Sequence, residues 1–310
     1  MTAAAEAFPD LPRPRPGLAA RFFASRPVAV AAVVAGLVLI WYAAVLPMNW
    51  QVQRDADQRA GIRPPLLEFA LSTYSMQRPV LPAPHQVARE LYQSVFEVAP
   101  SSPRSLVFHG WVTLSATLLG FAIGALLGIV LAILIIHVPS LDKSLMPWII
   151  ASQTIPILAI APMVVVVLAA IGLTGLLPKA LISAYLSFFP VTVGMVKGLR
   201  LLDPIRLDLM RTYHADAGQT FRKLRWPSAL PFLFVSLRVA VAASLVGAIV
   251  AELPTGAVAG LGARLLAGSY YGQTVQIWAA LFAAAFIAAV LVGVIGLIER
   301  MVLRRMGLAR

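Results

Sequence analysis

The sequence predicts an all-α integral membrane protein with about six transmembrane helices. Three observations predict it. Hydrophobic residues make up 60% of the chain and charged residues only 12%, whereas a soluble domain is about 25% charged. Six apolar runs, near 28–46, 110–136, 145–171, 180–198, 230–251 and 275–298, are long enough to span, since roughly 20 helical residues cross the hydrocarbon. The basic residues cluster between those runs, and mean hydropathy is +0.84.

The net charge of +12 is one that nucleic-acid binders also carry. Its placement fits the enrichment of Lys and Arg on cytoplasmic loops better, so no nucleic acid is expected as a partner. Arg13, Arg15, Arg21 and Arg26 mark the N-terminus. Lys197, Arg200, Arg206, Arg211, Arg222, Lys223 and Arg225 mark the segment between the fourth and fifth runs. Arg300, Arg304, Arg305 and Arg310 mark the C-terminus. Six spans put all three on one side, taken as the cytoplasm of a bacterial inner membrane. With no cysteine, disulfides and thiolate chemistry are excluded.

In chain order, residues 1–26 are expected to be a cytoplasmic N-terminus, its Ala- and Pro-rich head Met1–Pro16 disordered. Residues 27–47 form the first transmembrane helix. No small-x-small cleavage site follows, which favours a retained anchor over a signal peptide. Residues 48–105 form an extracytoplasmic segment. Within it His85–Phe96 reads as an amphipathic helix, with Val87, Leu91 and Val95 at spacing four, lying along the outer membrane surface. Residues 106–300 form the helical core, and 301–310 a basic cytoplasmic tail.

In the second span Gly120, Gly124 and Gly128 share one face, which lets a neighbouring helix approach closely. The third span holds Gln153-Thr154-Ile155-Pro156 and then Ala161-Pro162. Each proline removes a backbone hydrogen bond and favours a kink. Broken backbone at membrane depth is tolerated where it is buried in protein or lines a cavity. Gln153, Thr154 and Pro156 thus mark either a translocation pathway or an interhelical hydrogen bond. Ser187 precedes a similar proline in span four. Glu252, at the end of span five, is read as a pathway group near an outer gate or, preferably, as an interfacial carboxylate in water. Arg238 is expected to snorkel to the cytoplasmic surface.

Residues 203–226 form a polar, basic, helix-patterned element between spans four and five. Asp203 is an N-cap and Pro204 a first helical residue. Met210, Tyr213, Ala217, Phe221 and Leu224 recur at spacings of a single helical stripe. Gly218 breaks the pattern, so two short helices around a bend are expected. A stripe interrupted by His214 and Asp216 and tethered at both ends favours docking of a cytoplasmic partner over lying on anionic lipid.

The spacing of this element resembles the cytoplasmic signature of permease subunits of binding-protein-dependent ABC importers. That signature runs Glu-Ala-Ala, three residues, Gly, nine residues, Ile, one residue, Leu-Pro. Here Asp208-Leu209-Met210 stand at Glu-Ala-Ala, His214 at Gly, Leu224 at Ile, and Pro227 is retained; the bend then falls either at His214, a residue type that visits left-handed backbone more than most, or at Gly218. Leu81–Pro84, Gly120–Gly124, Gln153–Pro156 with Ala161–Met163, Phe188–Pro190, Phe221–Leu224 with Pro227–Pro231, and Gly247–Glu252 are similar to the nitrate, sulfonate, taurine and pyrimidine-precursor branch. The stretch Asn49–Gln77 is longer than the resemblance to that branch implies.

The resemblance implies a type I ABC importer permease-like bundle that passes a small organic solute, sulfonate-, nitrate- or pyrimidine-like, to the cytoplasm by alternating access. It implies a cytoplasmic ABC ATPase dimer, a second permease subunit and an extracytoplasmic solute-binding protein as partners, besides membrane lipid. Asp208, Arg211, Tyr213, His214, Asp216, Ala217, Gly218 and Phe221 would then couple to the ATPase. No cofactor or metal is expected in this chain; ATP and its magnesium belong to the ATPase partner. The chain lacks a GxxxxGK[ST] phosphate loop. It also lacks H-E-x-x-H and G-x-S-x-G, which argues against a membrane enzyme. A secondary transporter or channel is the alternative, though such proteins place ionisable groups within their spans and need no docking element.

Overall fold

The computed structural model describes residues 25–253 and 257–307. These are helical throughout, with turns and no strand. The chain divides into two units, Met1–Pro84 and His85–Arg310. The head Met1–Pro16 lies outside the described residues.

In the first unit α1 (Arg26–Ala60) begins with proline in its first turn. It does not stop near residue 47. Its last turns, 51–60, are built from good helix formers, and Gln53 Nε2 donates to Asp57 Oδ1 at 2.8 Å across one turn. The segment expected to start as an outer loop therefore starts as helix. Gly61 ends it at φ 68°, with Ile62 N donating back to Asp57 O at 2.9 Å, a left-handed cap that glycine adopts without a Cβ clash. A short α2 (Leu66–Ser72) follows. Asn49, fully buried, then gathers the returning chain. Its Nδ2 donates to Thr73 O (3.1 Å) and Leu81 O (2.9 Å), and its Oδ1 accepts from Val80 N and Leu81 N.

α3 (Pro84–Tyr92) and a π turn over Gln93–Glu97 lead into the second unit. Val87 is buried, while Leu91 and Val95 pack on Leu106, Leu261, Ala279 and Ala280. The apolar edge expected to face the membrane surface is covered by the bundle instead.

α4 (Leu106–His137), α7 (Leu176–Arg200) and α10 (Trp226–Glu252) form the core. The glycine face of α4 meets α7: a Cβ on Gly124 would lie 2.8 Å from Ala184 O, and one on Gly128 2.8 Å from Phe188 O. On its other side α7 meets α10 in the same manner, where a Cβ on Gly194 would lie 2.6 Å from Ser236 Cβ. Small residues thus let both neighbours approach α7 to backbone contact. Hydroxyls tie the three helices where they touch. Ser183 Oγ donates to Ser244 O (2.9 Å) and Ser244 Oγ to Thr117 O (2.8 Å).

The expected third span is two helices, α5 (Pro139–Ser152) and α6 (Ile157–Ala170), bent by 100°. The break falls where Pro156 supplies no N–H and restricts Ile155. Five helices are long and apolar enough to cross a membrane, or six if the bent pair is one span. α8 (Pro204–Thr212) and α9 (Ala217–Thr220) connect α7 to α10, and α11 (Leu261–Tyr270) and α12 (Thr274–Arg305) complete the chain. Arg238 of α10, expected to snorkel, pairs with Glu299 of α12.

Candidate functional site

Two polar constructions stand out against the apolar bundle. The first is the α8–α9 loop. Asp203 Oδ1 accepts from Ile205 N at 3.0 Å, the cap the sequence predicts, and Pro204 opens the helix. α8 ends at His214, whose φ of 48° is the only positive value at a non-glycine position among the described residues. Ala215 N donates to Met210 O (3.0 Å) and His214 N to Arg211 O (2.9 Å). These are the two bonds of a Schellman cap, with histidine in the glycine place. The chain restarts at once. Asp216 Oδ1 accepts from Gln219 N (2.7 Å) while Gln219 Oε1 accepts from Asp216 N (3.3 Å), a capping box. The bend therefore lies at His214. Of the two positions the sequence offered for it, Gly218 is an ordinary helical residue of α9.

The apolar stripe also differs from the one expected. The bend splits it, and its C-terminal half turns inward: Phe221 packs edge-on against His137, centroids 5.2 Å apart, and against Trp226. The surface left open on α8 is Ile205, Leu209 and Tyr213, one residue per turn and all exposed. Asp208 and Arg211 pair at 2.9 Å across this helix, also exposed. Ala217 and Asp216 are exposed at the start of α9.

The second construction surrounds Glu252, the last residue of α10. Its side chain is fully buried, so the interfacial carboxylate in water is overturned. Thr113 of α4 donates to both carboxylate oxygens at 3.0 Å, and Thr113 Oγ1 in turn accepts from Leu261 N at 2.8 Å. Gly262 N donates to Oε2 at 2.8 Å, which sets the carboxylate at the N-terminus of α11, where free N–H groups and the helix dipole favour an anion. Lys179 of α7 stands 3.6 Å from Oε1 and donates to Ala259 O at 3.2 Å. Beside them His109 Nδ1 accepts from Gly260 N (3.0 Å), leaving Nε2 to donate to Pro103 O (2.8 Å). Gly260 and Gly262 lie so close to the Glu252 side chain that a Cβ on Gly262 would sit 2.8 Å from Glu252 Cβ. A burial this complete needs that many partners, because an unpaired carboxylate in an apolar interior is strongly disfavoured.

The sequence reading missed Lys179, Thr113 and His109. A signal existed: Lys179 opens α7 on the side where α10 ends, so the two buried charges were placed to meet. The five pathway residues are not brought together. Gln153, Thr154 and Pro156 lie at the α5–α6 break, Thr154 and Pro156 exposed and Thr154 Oγ1 donating to Ala151 O at 2.7 Å. Tyr185 of α7 donates to Ser152 O beside the break. Ser187 is buried against α4 and donates to Ala184 O at 3.2 Å. Near Lys179 a cavity of about 590 Å³ opens between α4, α6 and α7, lined by Trp111, Ser115, Val165, Ala169, Leu176 and Lys179 among others.

Comparison with known proteins supplies the context. Residues 124–308 match the family described as binding-protein-dependent transport system inner membrane component. The riboflavin transport system permease protein of Chloroflexus aurantiacus is 32% identical over 73% of this chain and 80% of its own length. The formylaminopyrimidine transport permease protein of Halalkalibacterium halodurans is 32% identical over 59% of this chain and 68% of its own. The nitrate import permease protein of a Synechocystis is 25% identical over 70% and 76%.

Proposed function

The chain belongs to the family of binding-protein-dependent transport system inner membrane components, and from that premise we propose how it is coupled and what it carries. It is a multi-pass permease subunit of an ABC importer for a small solute, and not itself an enzyme. A cytoplasmic ATPase dimer docks on α8 and α9. Ile205, Leu209 and Tyr213 enter its groove, as an amphipathic helix does, with Asp208, Arg211 and Asp216 orienting it and His214, Ala217 and Gly218 shaping the turn. Phe221 anchors the loop to the bundle. ATP and magnesium are bound by that partner. Closure of the ATPase dimer favours one arrangement of two paired permease subunits over the other, a shift set by differential affinity. An extracytoplasmic binding protein delivers the solute. The N-terminus, the α8–α9 loop and the C-terminus face the cytoplasm. Gln153, Thr154 and Pro156 line the pathway at the α5–α6 break; Ser187 and Glu252 border it from behind.

The observation that carries this reading is an exposed apolar stripe, Ile205, Leu209 and Tyr213, on a capped helix in a loop between two spans. The solute is a pyrimidine-like or sulfonate-like compound. Relatives that carry riboflavin and formylaminopyrimidine, each 32% identical, support the nitrogen heterocycle of the two. The test is purification of the tagged chain from native membranes in mild detergent, with its partners identified by mass spectrometry. A Walker A protein should co-purify and be lost with Leu209→Asp. A folded chain that purifies alone would instead indicate a channel or secondary transporter.

A further inference from the structure

Residues 49–77 play no part in the coupling or the pathway, yet they are built with care. At about 1.5 Å per residue α1 is roughly 52 Å long against about 30 Å of hydrocarbon. Its apolar run ends near Met48, and its final turns, 51–60, are polar and charged. Gly61 reverses the chain, and α2 comes back down beside α1. Its depth is fixed by four contacts. Phe69 meets Trp50 edge-on with centroids 4.6 Å apart. Asn49 holds Thr73 and Leu81. Tyr74 donates its hydroxyl to Tyr42 O (3.2 Å), and Trp41 Nε1 donates to Pro82 O (2.9 Å). All four fall on residues 41–50 of α1, the level at which it leaves the apolar layer, and Trp and Tyr concentrate at that level in membrane proteins.

Around α2, at about 100° per residue, Phe69 faces α1, while Glu68 and Ser72 take a second side. Leu66, Ala70, Leu67 and Leu71 fill the remaining arc. The three leucines are 79%, 72% and 61% exposed. We propose that α2 is an interfacial anchor, seated on its side with Leu66, Leu67 and Leu71 in the acyl chains of the leaflet at the C-terminal end of α1. The occupant is lipid because α2 packs on the C-terminal half of a helix apolar enough to cross a membrane, of mean hydropathy 2.5 and little buried within the molecule. Three leucines on a seven-residue helix fall well short of the roughly 800 Å² per partner that a stable protein interface buries. Arg63 and Arg78, both exposed, flank α2 within reach of phosphate headgroups.

The chain has no cysteine, so single substitutions give clean labelling sites. Leu66→Cys, Leu67→Cys, Leu71→Cys, Arg63→Cys and Arg59→Cys each replace an exposed side chain. Each full-length variant is spin-labelled and reconstituted in phosphatidylcholine–phosphatidylglycerol vesicles. Collision with oxygen, which favours lipid, and with a water-soluble nickel chelate is then measured. Oxygen should dominate at 66, 67 and 71, and the chelate at 59 and 63. Chelate access at the three leucine sites would overturn the anchor in favour of a water-exposed collar. Low access to both reagents there would overturn it in favour of a protein contact.

Discussion

At His214 the backbone takes the left-handed conformation without the glycine that usually adopts it, a strain of about 1–2 kcal/mol for an L-residue. His214→Gly should remove that strain and lose roughly 0.5–1 kcal/mol to added chain entropy. A net gain of about 0.5 kcal/mol follows, read from thermal unfolding in detergent. His214→Val, β-branched at the same φ, should destabilise by about 2 kcal/mol. The Glu252 pocket gives a larger effect. Lys179→Met leaves a buried carboxylate short of its cation and should cost about 3–5 kcal/mol. Combining it with Glu252→Gln should cost less than the sum of the two, since contacting residues couple. The Asp203 cap was legible because capping is local chemistry. Glu252 was not, because its partners come from α4, α7 and α11, and a carboxylate at the end of an apolar run looks the same whether water or protein meets it.

At the scale of helices, the α4–α7 seam rests on glycines with no room for a side chain. Gly124→Val should force the helices apart and destabilise by about 1–3 kcal/mol, read as a lower melting temperature. Gly36→Val on α1, where a Cβ meets nothing within 4 Å, should leave it unchanged. The glycine face was readable from a spacing of four, though not which helix would meet it. The prolines of the third span announced a kink, though not a turn of 100° between two separate helices, because neither hydropathy nor a proline's place reports an angle. The stripe from Met210 to Leu224 was misread for the same kind of reason. Periodicity assumes one straight helix, and a cap at His214 resets the phase, so Phe221 turns inward while Ile205 and Leu209 stay outside.

For the whole molecule, the class of fold and the five or six candidate crossings followed from hydropathy, and the helical loop between α7 and α10 from its charge and caps. The α5–α6 break is the pathway candidate that lies open. Thr154→Cys should therefore react with a membrane-impermeant thiol reagent at a rate that changes when nucleotide is added to the assembled complex, whereas Ser187→Cys should stay inert in the state described. Equal inertness of both would remove the break from the pathway. One further property follows from the way α9 passes through the Phe221–Arg225 π turn into α10 without interruption. Residues 217–252 act as one connecting rod, about 54 Å long at 1.5 Å per residue. Its near end is clamped by the capping box at Asp216 and its far end by the Glu252 carboxylate. By simple leverage, a tilt of about 5° at the docking loop would sweep the far end through about 5 Å over that length, more than the hydrogen bonds there can stretch. A rod that stayed rigid would therefore carry a tilt at the α8–α9 loop into rupture of the hydrogen bonds around Glu252.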